Sequence, residues 1–233
     1  MGGSKPLAIS TNTTLCRRWL ELADQGPDDE IMVRWQAGEE PFRWKWEPLL
    51  RRAGFYARAL AEAGIRKGDI CALILRHNRD FYPVYLGIEA FGALPAVLAY
   101  PNPRLQPDKF RHGLEGMARH SGLDWLLTET ALEPMVRPLA IGRASTIKAV
   151  LFPLEWVDHS TTPAGADREF TGSEGLPSDP CLLQRSSGTT GLQKGVMLSH
   201  RAVLEHAARY GDAISLRPGD KIVSWLRFIT TWD

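Results

Sequence analysis

The chain lacks most of what would mark it for an unusual environment. It holds only 3 cysteines in 233 residues, Cys16, Cys71 and Cys181, odd in number, far apart and with no C-x-x-C pair. That excludes a disulfide framework and fits a reduced, cytoplasmic setting, with two of the three in apolar surroundings as small buried hydrophobes. An excess of one charge is missing as well. Lys plus Arg total 28 and Asp plus Glu 27, a net charge of +1, which gives no electrostatic case for nucleic acid or an anionic membrane as the main partner. Long apolar runs are absent: the longest, 70–75 and 93–100 with its Pro95, fall far short of the roughly 20 residues of a membrane span. Residues 1–14 carry one basic residue, Lys5, and no apolar stretch, so no signal peptide is expected there. With 21 Gly and 16 Pro the chain is not collagen-like, and 44% hydrophobic content is too high for a disordered one.

What is present is helix alternating with short apolar strand. Leu49, Leu50, Ala53, Phe55, Tyr56, Ala59 and Leu60 predict a helix over 46–63 that stops at Gly64. Residues 70–75 read as a strand apolar on both faces, 79–91 as a helix closed by Gly92, and 93–99 as the next strand. A helix over 107–120 opens with Pro107 and Asp108, and 124–127 and 147–152 are two further strands. Strands separated by helices of this length predict an α/β fold with mostly parallel sheets flanked by helices. Trp35, Phe42, Trp44 and Trp46 predict a small hairpin turning at 37–40, and 158–180 reads as a long exposed connection.

The segment that carries chemistry is 179–206. A strand over 181–184 leads into Arg185-Ser186-Ser187-Gly188-Thr189-Thr190-Gly191-Leu192-Gln193-Lys194-Gly195, then an apolar piece at 196–198. Ser199 follows as N-cap of a helix through Ala213. Gly188, Gly191 and Gly195 let backbone approach a ligand with no Cβ in the way. Successive N–H groups in such a bend form an anion-binding concavity. Ser186, Ser187, Thr189 and Thr190 add hydroxyl donors, and Lys194 brings a full charge on a flexible stem. Together these describe a polyphosphate cradle. It is not the G-x-x-x-x-G-K-[ST] loop, because the chain has no Gly-Lys pair, and no G-x-G-x-x-G fingerprint occurs. His200 and His206 lie six apart and do not share a helix face, which makes a poor metal pair. His77, His112, His120 and His159 are scattered, and Arg104, Lys109 and Arg111 read as a solvated basic face. No catalytic residue and no metal ligand is assigned.

Residues 186–196 closely resemble the signature of the AMP-forming adenylate-forming superfamily, which includes acyl-CoA synthetases, fatty acyl-AMP ligases and peptide-synthetase adenylation domains. Residues 59–75 with Asn78, and Phe91-Gly92-Ala93-Leu94-Pro95-Ala96-Val97, resemble the superfamily's N-terminal helix, turn and strands. The signature usually has Pro where this chain has Gln193, which costs loop rigidity but no donor. The resemblance implies a two-stage reaction. A carboxylic acid, here of fatty type, attacks the α-phosphate of ATP with Mg²⁺, and the acyl-adenylate then passes to the thiol of coenzyme A. It implies Thr189, Thr190 and Lys194 at the β- and γ-phosphates, with Ser186, Ser187, Gly188, Gly191 and Gly195 completing the ATP site.

Two alternatives stand beside this reading: an acyl-AMP ligase that loads an acyl carrier protein, and a truncated product with weak ATP affinity. The expected organisation is an incomplete large N-terminal domain over 1–226, ending in a strand at 221–226, and an out-of-frame tail over 227–233. After Ser224-Trp225-Leu226, many fatty-acid-type members continue P-L-Y-H-D-M-G. Codons CGC TTT ATC ACG ACA TGG GAC encode Arg227-Phe228-Ile229-Thr230-Thr231-Trp232-Asp233, and with one C restored in front they read P-L-Y-H-D-M-G.

Overall fold

The computed structural model describes residues 9–34, 38, 40–102, 106–141, 145–157, 170, 172, 174–185 and 195–224. Helix α1, Leu15–Gln25, is capped by Thr14, whose Oγ1 accepts from the Arg17 N–H at 3.3 Å. Strands β1, Glu30–Arg34, and β2, Phe42–Lys45, pair antiparallel as the expected hairpin. Trp44 anchors it, buried, with Nε1 donating to the Arg79 carbonyl at 2.9 Å. Helix α2, Trp46–Glu62, ends just before Gly64, which takes φ +93° so that the Ile65 N–H can reach back to the Leu60 carbonyl.

The central sheet is made of β3 (Ile70–Ile74), β4 (Leu94–Val97), β5 (Trp125–Thr128) and β6 (Ala149–Leu151). All three pairings are parallel and the order is β4-β3-β5-β6. Connecting helices α3 (Phe81–Phe91), α4 (Pro107–Ser121) and α5 (Glu133–Ile141) supply the crossovers. Period-two alternation sends β3 side chains to two cores. Ala72 and Ile74 meet Phe110, Leu114 and Met117 of α4 and Val136 and Leu139 of α5. Cys71 and Leu73, with Leu75 beyond the strand, meet Tyr56 and Leu60 of α2 and Val84 and Ile88 of α3. A Cβ on Gly87 would lie 2.7 Å from Tyr56 Cβ and 2.9 Å from the Ala53 carbonyl oxygen, so glycine is what lets α2 and α3 close together.

Strands β7 (Pro180–Arg185) and β8 (Gly195–Ser199) form a separate antiparallel hairpin, with β7 alongside β4, and helix α6 (His200–Ala213) follows. All three cysteines are buried thiols outside any disulfide.

Several readings are corrected. The helix expected over 79–91 begins at Phe81, because Asn78 Oδ1 accepts the Asp80 N–H at 2.8 Å and turns the chain first. The connection over 158–180 is not exposed throughout. Phe170 is 7% exposed and packs beside Gly54 in the core that α1, β2 and α2 share. Residues 221–224 are not strand, since none of the described strands pairs with them. Helices α1 and α5 were not anticipated. The tail over 227–233 lies outside the described residues.

Candidate functional site

The proposed cradle is framed by what flanks it. In the β7–β8 ladder, Leu182 faces Leu198, Leu183 faces Met197, Gln184 faces Val196 and Arg185 faces Gly195. Residues 186–194 therefore connect the last paired residues of the two strands. Ser186, Ser187, Gly188, Thr189, Thr190, Gly191 and Lys194 lie outside the described residues. Gly195 is described, and the structure gives a steric reason for it. A Cβ there would sit 3.1 Å from Leu183 Cδ1 and 3.2 Å from Ser121 Oγ at the end of α4. The strand expected over 181–184, the apolar piece at 196–198 and the Ser199 cap all form, and Ser199 Oγ accepts the Ala202 N–H at 3.2 Å.

The hairpin base is closed by hydrogen bonds between its own two sides, and a further bond, from Leu15 to His200, ties it to α1. The His200 N–H donates to the Asp179 carbonyl at 3.2 Å and the Arg201 N–H to the Pro177 carbonyl at 2.8 Å. Cys181 Sγ–H donates to the Leu198 carbonyl at 3.3 Å, and burial above all pushes that thiol up to about 12. His200 is buried, and the Leu15 N–H donates to its Nδ1 at 3.2 Å. Beneath lie Leu15, Cys181 and Leu204, with Ile9, Trp19, Leu182 and Val203 around them, while Leu183 of β7 joins the core under α4.

The other polar clusters are fasteners of the sheet. At its amino edge, Asp69 accepts from Trp125 Nε1 at 2.7 Å and from Lys148 Nζ at 3.0 Å, and Lys148 also pairs with Asp124 at 2.9 Å. Partial burial acts to raise the Asp69 carboxyl, but hydrogen bonds from the Arg66 N–H, Trp125 and Lys148 outweigh it and lower it. At the carboxyl edge, where open α/β sheets hold ligands, Glu129 accepts from the Arg76 N–H at 2.6 Å and from Arg76 Nε at 2.8 Å. Lys109 is exposed and Arg111 pairs with Asp108 at 2.8 Å, as a solvated basic face should, while Arg104 lies outside the described residues. No group of three metal-capable side chains occurs among the described residues, and none of the described helices is long and apolar enough to cross a membrane.

The parallel sheet, its helices and the separate hairpin are the N-terminal domain architecture of adenylate-forming ligases. A structure from a study of fatty acyl-adenylate ligases from E. coli and L. pneumophila superimposes with a TM-score of 0.71 at 24% identity, over 93% of this chain and 38% of that one. A fatty acyl-adenylate ligase from L. pneumophila, solved with acyl adenylate and pyrophosphate, gives 0.67 at 16% identity, over 88% and 33%. The chain belongs to the AMP-binding enzyme family, whose model matches residues 20–231. A 4-coumarate–CoA ligase of Oryza sativa is 31% identical over 188 residues, covering 78% of this chain and 31% of that protein. A fatty acid–[acyl-carrier-protein] ligase of Streptomyces coeruleorubidus is 30% identical over 181 residues, covering 75% and 32%. The chain thus spans about a third of the length of the curated relatives it matches.

Proposed function

We propose that residues 186–195 cradle the β- and γ-phosphates of ATP in the first half-reaction of an AMP-forming acid–thiol ligase. Adenylate formation brings two anions together, a carboxylate and the α-phosphate, and expels a third, pyrophosphate. Fixed N–H dipoles, hydroxyls and one cation at the phosphates answer that charge problem. Thr189, Thr190 and Lys194 take the β- and γ-phosphates. Ser186, Ser187, Gly188, Gly191 and Gly195 complete the cradle. Mg²⁺ is the charge partner the polyphosphate itself calls for. The observation that carries the reading is this Gly/Ser/Thr/Lys run set between the last paired residues of an antiparallel hairpin, in a chain of this family.

The acid is a carboxylic acid of fatty type, activated in the cytoplasm, and the acceptor is the thiol of coenzyme A. The similarity to an acyl-carrier-protein ligase supports a second reading, in which a carrier-protein thiol takes the acyl group. The test is acid-dependent exchange of labelled pyrophosphate into ATP. The 233-residue chain alone is expected to give none. A chain continued after Leu226 in the frame that reads P-L-Y-H-D-M-G is expected to exchange with fatty acids. Absence of acid-dependent exchange from the continued chain across fatty, aryl and amino acids overturns the ligase reading.

A further inference from the structure

Helix α3 buries a carboxylate at the seam where the hairpin meets the body. Glu89 is 2% exposed, yet it is not part of the proposed phosphate cradle. Cys16 Sγ–H, from α1, donates to Glu89 Oε1 at 3.9 Å, and His200 Nδ1, the first residue of α6, lies 3.5 Å from the same oxygen. The Leu15 N–H points at that Nδ1 as well, at 3.2 Å. An imidazole nitrogen that accepts a hydrogen bond carries no proton. An ionised carboxylate beside that lone pair, out of water, would be repelled and unsolvated, whereas a carboxylic acid is neither. Burial does hold the Glu89 carboxyl well above the ordinary glutamate range, with the Cys16 hydrogen bond opposing. Burial likewise lowers His200, with Asp179 opposing. The other titratable groups facing the pair are Tyr85 on α3 and Cys181 on β7, both held in their neutral forms above all by burial.

His200 follows β8 without an intervening residue, so displacing it displaces the strand whose other end opens at the phosphate loop. Leu183 seats β7 in the sheet core, but Val196 and Met197 on β8 are 47% and 49% exposed, so β8 is the strand with little apolar anchoring of its own. We propose that Glu89 and His200, neutral on both sides, form the clamp that fixes the β7–β8 hairpin against α1 and α3, and are positioning residues for the loop at its tip. The structural part stands on the described contacts, and the consequence for nucleotide rests on the phosphate-cradle reading.

The substitution that separates a neutral from a charged pair is Glu89→Gln, because an amide reproduces a neutral acid and not a carboxylate. In the wild-type chain at neutral pH, infrared spectra should contain the carbonyl stretch of a protonated carboxylic acid, and Glu89→Gln should remove it. In hydrogen exchange followed by mass spectrometry, Glu89→Ala should speed exchange in α1 and α6 peptides about tenfold, and Glu89→Gln should leave it within about twofold. Pyrophosphate with Mg²⁺ should bind about fivefold more weakly to Glu89→Ala than to wild type or Glu89→Gln. The clamp is overturned if no acid carbonyl is lost, if Gln is as damaging as Ala, or if Ala leaves α6 exchange unchanged. Wild-type chain that fails to bind pyrophosphate sinks the phosphate-cradle reading instead, and the infrared and exchange results still decide the clamp.

Discussion

Arg185 and Gly195 face each other as the last pair of the β7–β8 ladder, so the loop that carries Lys194 must close between two strand ends about 5 Å apart. The ladder thus fixes both roots of the proposed cradle, Arg185 on β7 and Gly195 on β8.

Gly87 tests the packing of the body. A methyl group there would fall 2.7 Å from Tyr56 Cβ and 2.9 Å from the Ala53 carbonyl oxygen, and neither atom belongs to a flexible side-chain end. Gly87→Ala should cost about 1–3 kcal/mol by forcing α2 and α3 apart, despite alanine's better helix propensity. Denaturant melts of the two proteins check it. A stabilised variant would show that the helices can separate freely.

The pH dependence of stability should expose the buried pair. Glu89 is raised in the fold, so the stability it contributes is full below the unfolded value of about 4.3 and is lost as pH rises toward the folded one. His200 is lowered, so its contribution is present above about 6.5 and is lost as pH falls. Between those values the two slopes oppose each other. Glu89→Gln removes one slope and should leave stability falling as pH drops below about 6.5, more steeply than wild type. Identical profiles for the two proteins would remove Glu89 from the titration.

How much of this was legible in the sequence depended on whether the signal was local. The strands around Cys71 and Leu126 and the stops at Gly64 and Gly92 are written in apolar runs and in glycine's positive φ, and they form as expected. Helix α5 was hidden by Pro134 and Pro138, which propensity counts against a helix although this one contains Pro138. Phe170 was hidden by its polar neighbours, since one aromatic in such a stretch carries no period. The Glu89–His200 pairing itself could not be read. Its partners are far apart in sequence, and only the α3 and α6 placements join them. Glutamate inside the apolar stripe of α3, beside Ile88 and Ala90, was the one available hint.

The codons for residues 227–233 carry a sequence-level prediction. The coding DNA after Leu226, read with one nucleotide restored, should give P-L-Y-H-D-M-G and continue in an open frame of this family. Resequencing that region, from the genome and from the transcript, checks it. Codons for Arg227–Asp233 that yield another heptapeptide in the shifted frame would end the idea.

Lys194 offers the most direct measurement of the central claim, that residues 186–195 hold polyphosphate. Titration of the chain with pyrophosphate and Mg²⁺, followed by calorimetry, should saturate at one site. Lys194→Ala should weaken that binding by about tenfold or more, the loss of one charge-assisted contact worth about 1.5–3 kcal/mol. Equal affinity in the two proteins, or no saturable binding to the wild-type chain, would contradict the account.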